Sequence, residues 1–169
     1  VLDDVPENPT VEAVERALEL YRESGCNGVV SVGGGSVMDT GKALAVAAGH
    51  GGSIRDYLGQ SWKIGPATAP HVAIPTTAGT GSEVSRGAGI HPDPRARSQS
   101  INGPYVVPRV AICDPELTLT LPSGLTAATG MDALSHAIEG YLAKGNNPVG
   151  DVIALDSVRR VFTWLPRAV

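Results

Sequence analysis

Asp132 and His136 stand four residues apart in the segment TGMDALSHAIEGY, which puts both side chains on one face if the segment is helical. A carboxylate and an imidazole so placed can supply two ligands to a divalent metal. They can equally form nothing more than a hydrogen bond on a helix surface. A catalytic metal normally takes at least three protein ligands and keeps one position open, so the pair by itself is an incomplete set. The other histidines, His50, His71 and His91, have no carboxylate at useful spacing and read as structural or surface side chains. Arg95, Arg97 and Arg109 read as solvated charge, with an anionic-ligand wall as the alternative.

Two further segments could hold a phosphorylated ligand. Gly33, Gly34, Gly35 and Ser36 follow a short apolar run and open a helical pattern. A pyrophosphate approaches backbone closely only where no Cβ intrudes, and a helix N-terminus offers N–H donors with partial positive charge. The pattern is GGGS and not G-x-G-x-x-G, and a tight turn without ligand satisfies it equally. Thr76, Thr77, Thr80, Ser82 and Ser85 place hydroxyls around Gly79 and Gly81. Such a cluster can hold ribose, phosphate or carboxamide without adding charge, or can simply satisfy its own turn. Both segments follow expected strands, and open α/β folds bind ligands at the carboxyl ends of parallel strands.

The elements that must position these residues alternate in the first two thirds of the chain. Val11, Val14, Leu18 and Tyr21 recur at helical spacing within Pro9 to Ser24, with Gly25 as a stop. Gly28 to Val32 is a short β-branched run of the kind buried on both faces in a parallel sheet. A helix is expected over Met38 to Ala48, a loop over Gly49 to Pro70, and strands over His71 to Pro75 and Arg109 to Cys113. Pro92, Pro94, Pro104 and Pro108 predict an irregular stretch from Gly87 to Pro108. From Ser123 onward only helical patterns occur, Leu125 to Ala143 and Pro148 to Leu165, which places a domain boundary near Leu121-Pro122. The expected fold class is therefore α/β. A parallel-sheet dinucleotide-type domain over residues 1–121 is followed by the start of an all-helical domain over 122–169.

Bulk composition narrows the function classes. Hydrophobic residues make up 42% of 169, enough for a buried core. A net charge of −4 and only 4% aromatic residues disfavour nucleic-acid binding, which needs a basic face or stacking platforms. No apolar run reaches the length of a membrane span, and no leader pattern is visible at the start. Cys26 and Cys113 share no metal-type spacing and are expected to be buried free thiols. The chain opens at Val1 and stops at Val169 just after a helical pattern, and both ends read as cuts.

In their order, GGGSVMDTGKALA (Gly33 to Ala45), IPTTAGTGSEVS (Ile74 to Ser85), DPELTLTLP (Asp114 to Pro122) and TAATGMDALSHAIEGY (Thr126 to Tyr141) resemble the successive signatures of the iron-containing (group III) alcohol dehydrogenases. The resemblance covers the chain from end to end. It implies an N-terminal NAD(P)-binding α/β domain, a C-terminal helical domain, and a metal and substrate in the cleft between them. Carried over by position, Gly34, Gly35 and Ser36 would meet the pyrophosphate, and Thr76, Thr77 and Ser85 would line the rest of the dinucleotide. Asp132 and His136 match the family's first two metal ligands, for Fe2+ or Zn2+; its other two are histidines on later helices that this sequence lacks. The family's acidic residue that helps select NAD over NADP lies before Val1. A lysine that the family places near the cofactor corresponds here to Ser98, for which Arg95 or Arg97 could substitute.

The resemblance implies an oxidoreductase moving hydride between NAD(P) and a small alcohol or aldehyde. Such an enzyme is expected to be cytoplasmic and homo-oligomeric, with no nucleic-acid or membrane partner. Two alternatives stand beside it: a lyase related to dehydroquinate synthase, and a non-catalytic nucleotide-binding fragment.

Overall fold

The computed structural model describes residues 1–145 and 147–169 of the chain. They form two units, one made of Val1–Pro75 with Ser82–Asp114 and the other of Thr76–Gly81 with Pro115–Val169.

In the first unit, helix α1 (Val11–Glu23) begins where the Thr10 side chain accepts a hydrogen bond from the Ala13 N–H at 3.2 Å. It buries Val11, Val14, Ala17 and Leu18 and ends before Gly25, whose φ of 61° takes the chain out of the helix. Strand β1 (Val29–Gly33) leads into helix α2 (Gly35–His50), which opens inside the glycine turn itself and so starts earlier than the apolar spacing suggested. The expected loop of Gly49 to Pro70 contains two short 3-10 turns, Ile54–Asp56 and Ser61–Lys63. Glu15 on α1 holds the first of them, accepting from Ser53 Oγ at 2.6 Å and Ile54 N–H at 3.1 Å.

Strand β2 (His71–Pro75) runs parallel to β1 with Val29 opposite His71 and Gly33 opposite Pro75. On its other side lies β5 (Val110–Ala111), giving the sheet order β1-β2-β5. The core of β5 is shorter than the expected Arg109 to Cys113, although Arg109 and Ile112 still donate backbone hydrogen bonds to His71 and Ala73. Burial on both faces does not hold for β1. Val29 and Ser31 are buried, whereas Val30 and Val32 are 66% and 56% exposed, because α2 covers only one face of the strand here.

The stretch from Gly87 to Pro108 is not irregular throughout. It contains β3 (Gly87–Ile90) and β4 (Gln99–Asn102), paired antiparallel with Ala88 opposite Ile101 and Ile90 opposite Gln99. None of the prolines falls inside either strand. Pro92 and Pro94 occupy the connection between them, and Pro104 and Pro108 lie in the segment from β4 to β5. Ala88, Ile90 and Ile101 enter the main core with Val11, Val14, Leu18, Val46, Ile54 and Val106. The glycines at alternate positions of β3 hide the apolar alternation that marks a strand.

The second unit carries helices α3 (Ser123–Leu142) and α4 (Pro148–Ala168), with no strand among its described residues. Asn147 caps α4 by accepting from Gly150 N–H at 3.1 Å. The two helices pack closely at Gly130, where an added Cβ would fall among the methyl groups of Leu165. The loop Thr76–Gly81 belongs to this unit, because Gly79 lies against the backbone of α3 at Thr129.

Candidate functional site

The glycine turn ends β1 at Gly33 and caps α2 at Gly34. Gly33 has φ 155°, and an added Cβ would meet Val37 Cγ2 at 2.7 Å, so the turn accepts only glycine there. Gly34 caps the helix with extended backbone and no side-chain hydrogen bond. The first N–H groups of a sixteen-residue helix are therefore left for an outside acceptor. Ser36, in the first turn, directs its hydroxyl to the carbonyl of Glu7, which brings the N-terminal segment beside the turn.

Two charged side chains one turn apart on α2 fall within the segment Gly33 to Ala45 but have no role expected of them in the site. Lys42 has no exposed surface, and its Nζ donates to Ser82 Oγ at 2.8 Å, Ser85 Oγ at 3.0 Å and the Gly87 carbonyl at 2.7 Å. Asp39 lies 3.8 Å from that ammonium. It accepts from Ser82 Oγ at 2.6 Å through Oδ1 and from Gly89 N–H at 2.8 Å through Oδ2. Burial lowers the Lys42 pKa, and Asp39 and Glu83 oppose that shift. The available signal is a lysine beside the apolar run Ala43 to Ala48, where a buried helix has no solvent for a charge.

Ser85 is itself exposed, and its hydroxyl accepts a hydrogen bond from Lys42 Nζ while donating to Gly87 O at 3.3 Å. Ser98, at the position where the resembled family has lysine, sits over β3: a Cβ on Gly89 would lie 2.8 Å from Ser98 Oγ and 3.9 Å from Asp39 Oδ2. Arg95 and Arg97 lie in the connection between β3 and β4, and both are exposed.

Behind the sheet, His71 Nε2 pairs with Ser31 Oγ at 2.9 Å, closed over by Gly41 of α2. Burial first, and the Lys42 charge second, push the His71 pKa down to about 4. His71 is thus the structural histidine expected, neutral and buried. The cysteines depart from expectation: Cys26 and Cys113 are free but exposed, one in the turn after α1 and the other just past β5.

In the second unit, Thr76 and Thr77 begin the loop that Gly79 seats against Thr129. Three residues after Thr129 on α3 comes Asp132, whose Oδ1 lies 3.9 Å from His136 Nε2. Both side chains are about half exposed, at 42% and 55%, so a carboxylate oxygen and an imidazole nitrogen face outward together. That donor pair suits a divalent cation, and no group of three or more His, Cys, Asp or Glu gathers among the described residues. Among those residues, no helix is long and apolar enough to cross a membrane.

Comparison with known proteins gives matches along both units. Residues 1–115 match the family model for iron-containing alcohol dehydrogenase, and residues 126–169 match the model for the C-terminal part of the same family. The chain is 49% identical to 4-hydroxybutyrate dehydrogenase of Cupriavidus necator, over 99% of this chain and 44% of that protein. It is 44% identical to the NAD-dependent methanol dehydrogenase of Bacillus methanolicus, over 96% of this chain and 42% of that one. Among solved structures, sulfoacetaldehyde reductase from Bifidobacterium kashiwanohense in complex with NAD+ superposes with a TM-score of 0.92 at 42% identity, covering 98% of this chain and 44% of that one. A 1,3-propanediol oxidoreductase superposes with a TM-score of 0.93 at 40% identity, covering 99% and 44% respectively. The chain therefore spans a little under half the length of these relatives.

Proposed function

Because the chain belongs to the iron-containing alcohol dehydrogenase family, we propose that it is the central part of an enzyme moving hydride between NAD(P) and a small alcohol or aldehyde. In this proposal residues 1–121 belong to the dinucleotide-binding domain and 122–169 begin the metal and substrate domain. The observation that carries it is the open N-terminus of α2, where Gly34 leaves the helix uncapped by any side chain. The N–H groups of Gly35 and Ser36, with the helix dipole behind them, hold the pyrophosphate. Thr76, Thr77 and Ser85 line the rest of the dinucleotide through hydroxyls that add no charge.

Asp132 and His136 would contribute two ligands to a divalent metal, a carboxylate oxygen and an imidazole nitrogen. When bound, the nicotinamide supplies the hydride acceptor, and the metal supplies the Lewis acid for the alcohol oxygen. These two side chains of α3 would hold the metal, and their half-exposed setting would leave room for further ligands and substrate. Iron is the family's metal, and the donor pair accepts zinc as well. The named relatives act on 4-hydroxybutyrate and methanol, which favours a short alcohol here. We place the enzyme in the cytoplasm as a homo-oligomer with no nucleic-acid or membrane partner.

The test is steady-state oxidation of short primary alcohols by the full-length protein, with NAD+ or NADP+ and added Fe2+ or Zn2+. Metal-dependent reduction of the dinucleotide is expected. A purified, metal-loaded protein that binds dinucleotide yet reduces none with any short alcohol would refute the proposal.

A further inference from the structure

We propose that Lys42 is a positioning residue for dinucleotide binding, locking the segment that carries Ser85 to the helix that carries the glycine turn. The inference rests on the dinucleotide assignment under Proposed function. Five hydrogen bonds join α2 to the segment from Ser82 to Gly89, three from Lys42 and two to Asp39. That segment follows Gly81, with φ 64°, and has no regular structure of its own until β3 begins at Gly87. Asp39 and Lys42 sit one and two turns into α2 from Gly35, so the ties run to the helix end that faces the pyrophosphate.

A charge is a costly way to fill space. A buried ammonium loses its hydration, and an apolar side chain of similar volume would pack α2 without that loss. What the lysine adds is direction. Its three protons are all assigned, two of them to hydroxyls of the same segment. Ser85 Oγ accepts one of these and gives its own proton to Gly87 O, which fixes the hydroxyl's orientation. A side chain that only filled the core would give Ser85 no donor, and would leave Ser82 tied to α2 through Asp39 alone of these two side chains.

The experiment measures NAD+ affinity by calorimetry in the full-length protein and in Lys42→Met, Ser85→Ala and the double variant. Lys42→Met is expected to raise Kd at least tenfold and Ser85→Ala severalfold. The double variant should match Lys42→Met within about twofold, because without the lysine Ser85 is no longer held in place to contribute. Losses that multiply would assign Lys42 a general structural role and overturn the proposal, as would a Kd within twofold of the unsubstituted protein. Ser82→Ala covers the case in which Lys42→Met does not fold. It removes the hydroxyl shared by Lys42 and Asp39, and should raise Kd at least threefold with an unchanged circular dichroism spectrum. An unchanged Kd in Ser82→Ala overturns the proposal equally. If the unsubstituted protein binds no NAD+, the dinucleotide assignment fails and this role fails with it; normal binding with an indifferent Lys42→Met removes the role alone.

Discussion

Gly79 packs against the main chain of Thr129 so closely that a Cβ there would lie 2.7 Å from Thr129 Cβ and 2.8 Å from its carbonyl carbon. The obstacle is largely backbone within a helix, which cannot rotate aside. Gly79→Ala should therefore destabilise the helical unit by about 1–3 kcal/mol, the usual cost of overpacking. Urea unfolding followed by circular dichroism will show a lower midpoint. An unchanged midpoint would mean that the loop moves off α3 at no cost.

His71 supplies a pH prediction. Its pKa falls from 6.5 in the unfolded chain to about 4 in the folded protein. The folded state refuses a proton that the unfolded state accepts, so the stability tied to this group is complete above pH 6.5. It is lost progressively as pH drops toward 4, and amounts to about 3 kcal/mol in all. About 2 kcal/mol of this should disappear between pH 7 and pH 5. His71→Gln should be less stable at pH 7 yet flatter across that interval. Equal slopes in the two proteins would assign the acid sensitivity to other groups.

Gly35→Val tests the glycine turn. A branched side chain at the first residue of α2 would stand where phosphate oxygens approach backbone, while valine remains compatible with a helical start. NAD+ affinity in the full-length protein should fall at least tenfold with the fold retained. Unchanged affinity by calorimetry removes the turn from the site.

His136→Ala should cost metal content and turnover together in the full-length protein, since one of two adjacent donors is lost. Asp132→Asn should do the same less severely, because an amide oxygen still coordinates without charge. Dinucleotide affinity should hardly change in either variant. Full metal occupancy and a normal rate in His136→Ala would reduce the pair to a contact on a helix surface.

Much of this architecture is legible in local sequence. The β-branched runs of β1 and β2 announce themselves because no charge interrupts them, and the spacing of Asp132 and His136 requires only helical geometry. The hairpin of β3 and β4 is not legible, since glycine alternating with alanine and isoleucine carries little hydrophobic contrast. Nor are the contacts of Lys42 with Ser82 and Ser85, which join residues some forty positions apart through the fold. The exposure of Cys26 and Cys113 is equally hidden, because cysteine's general tendency to be buried says nothing about a particular turn.

The seat of Gly79 on Thr129 also bears on how the chain folds. The loop is made about fifty residues before the helix turn that receives it, so the helical unit closes a long loop before it is complete. During synthesis Thr76 to Gly81 must wait, exposed, until α3 has emerged. Cutting the gene at Asp114 would accordingly give two poor products. The first would carry a loop without its seat, and the second a helix pair lacking the strand-borne segment that covers Thr129.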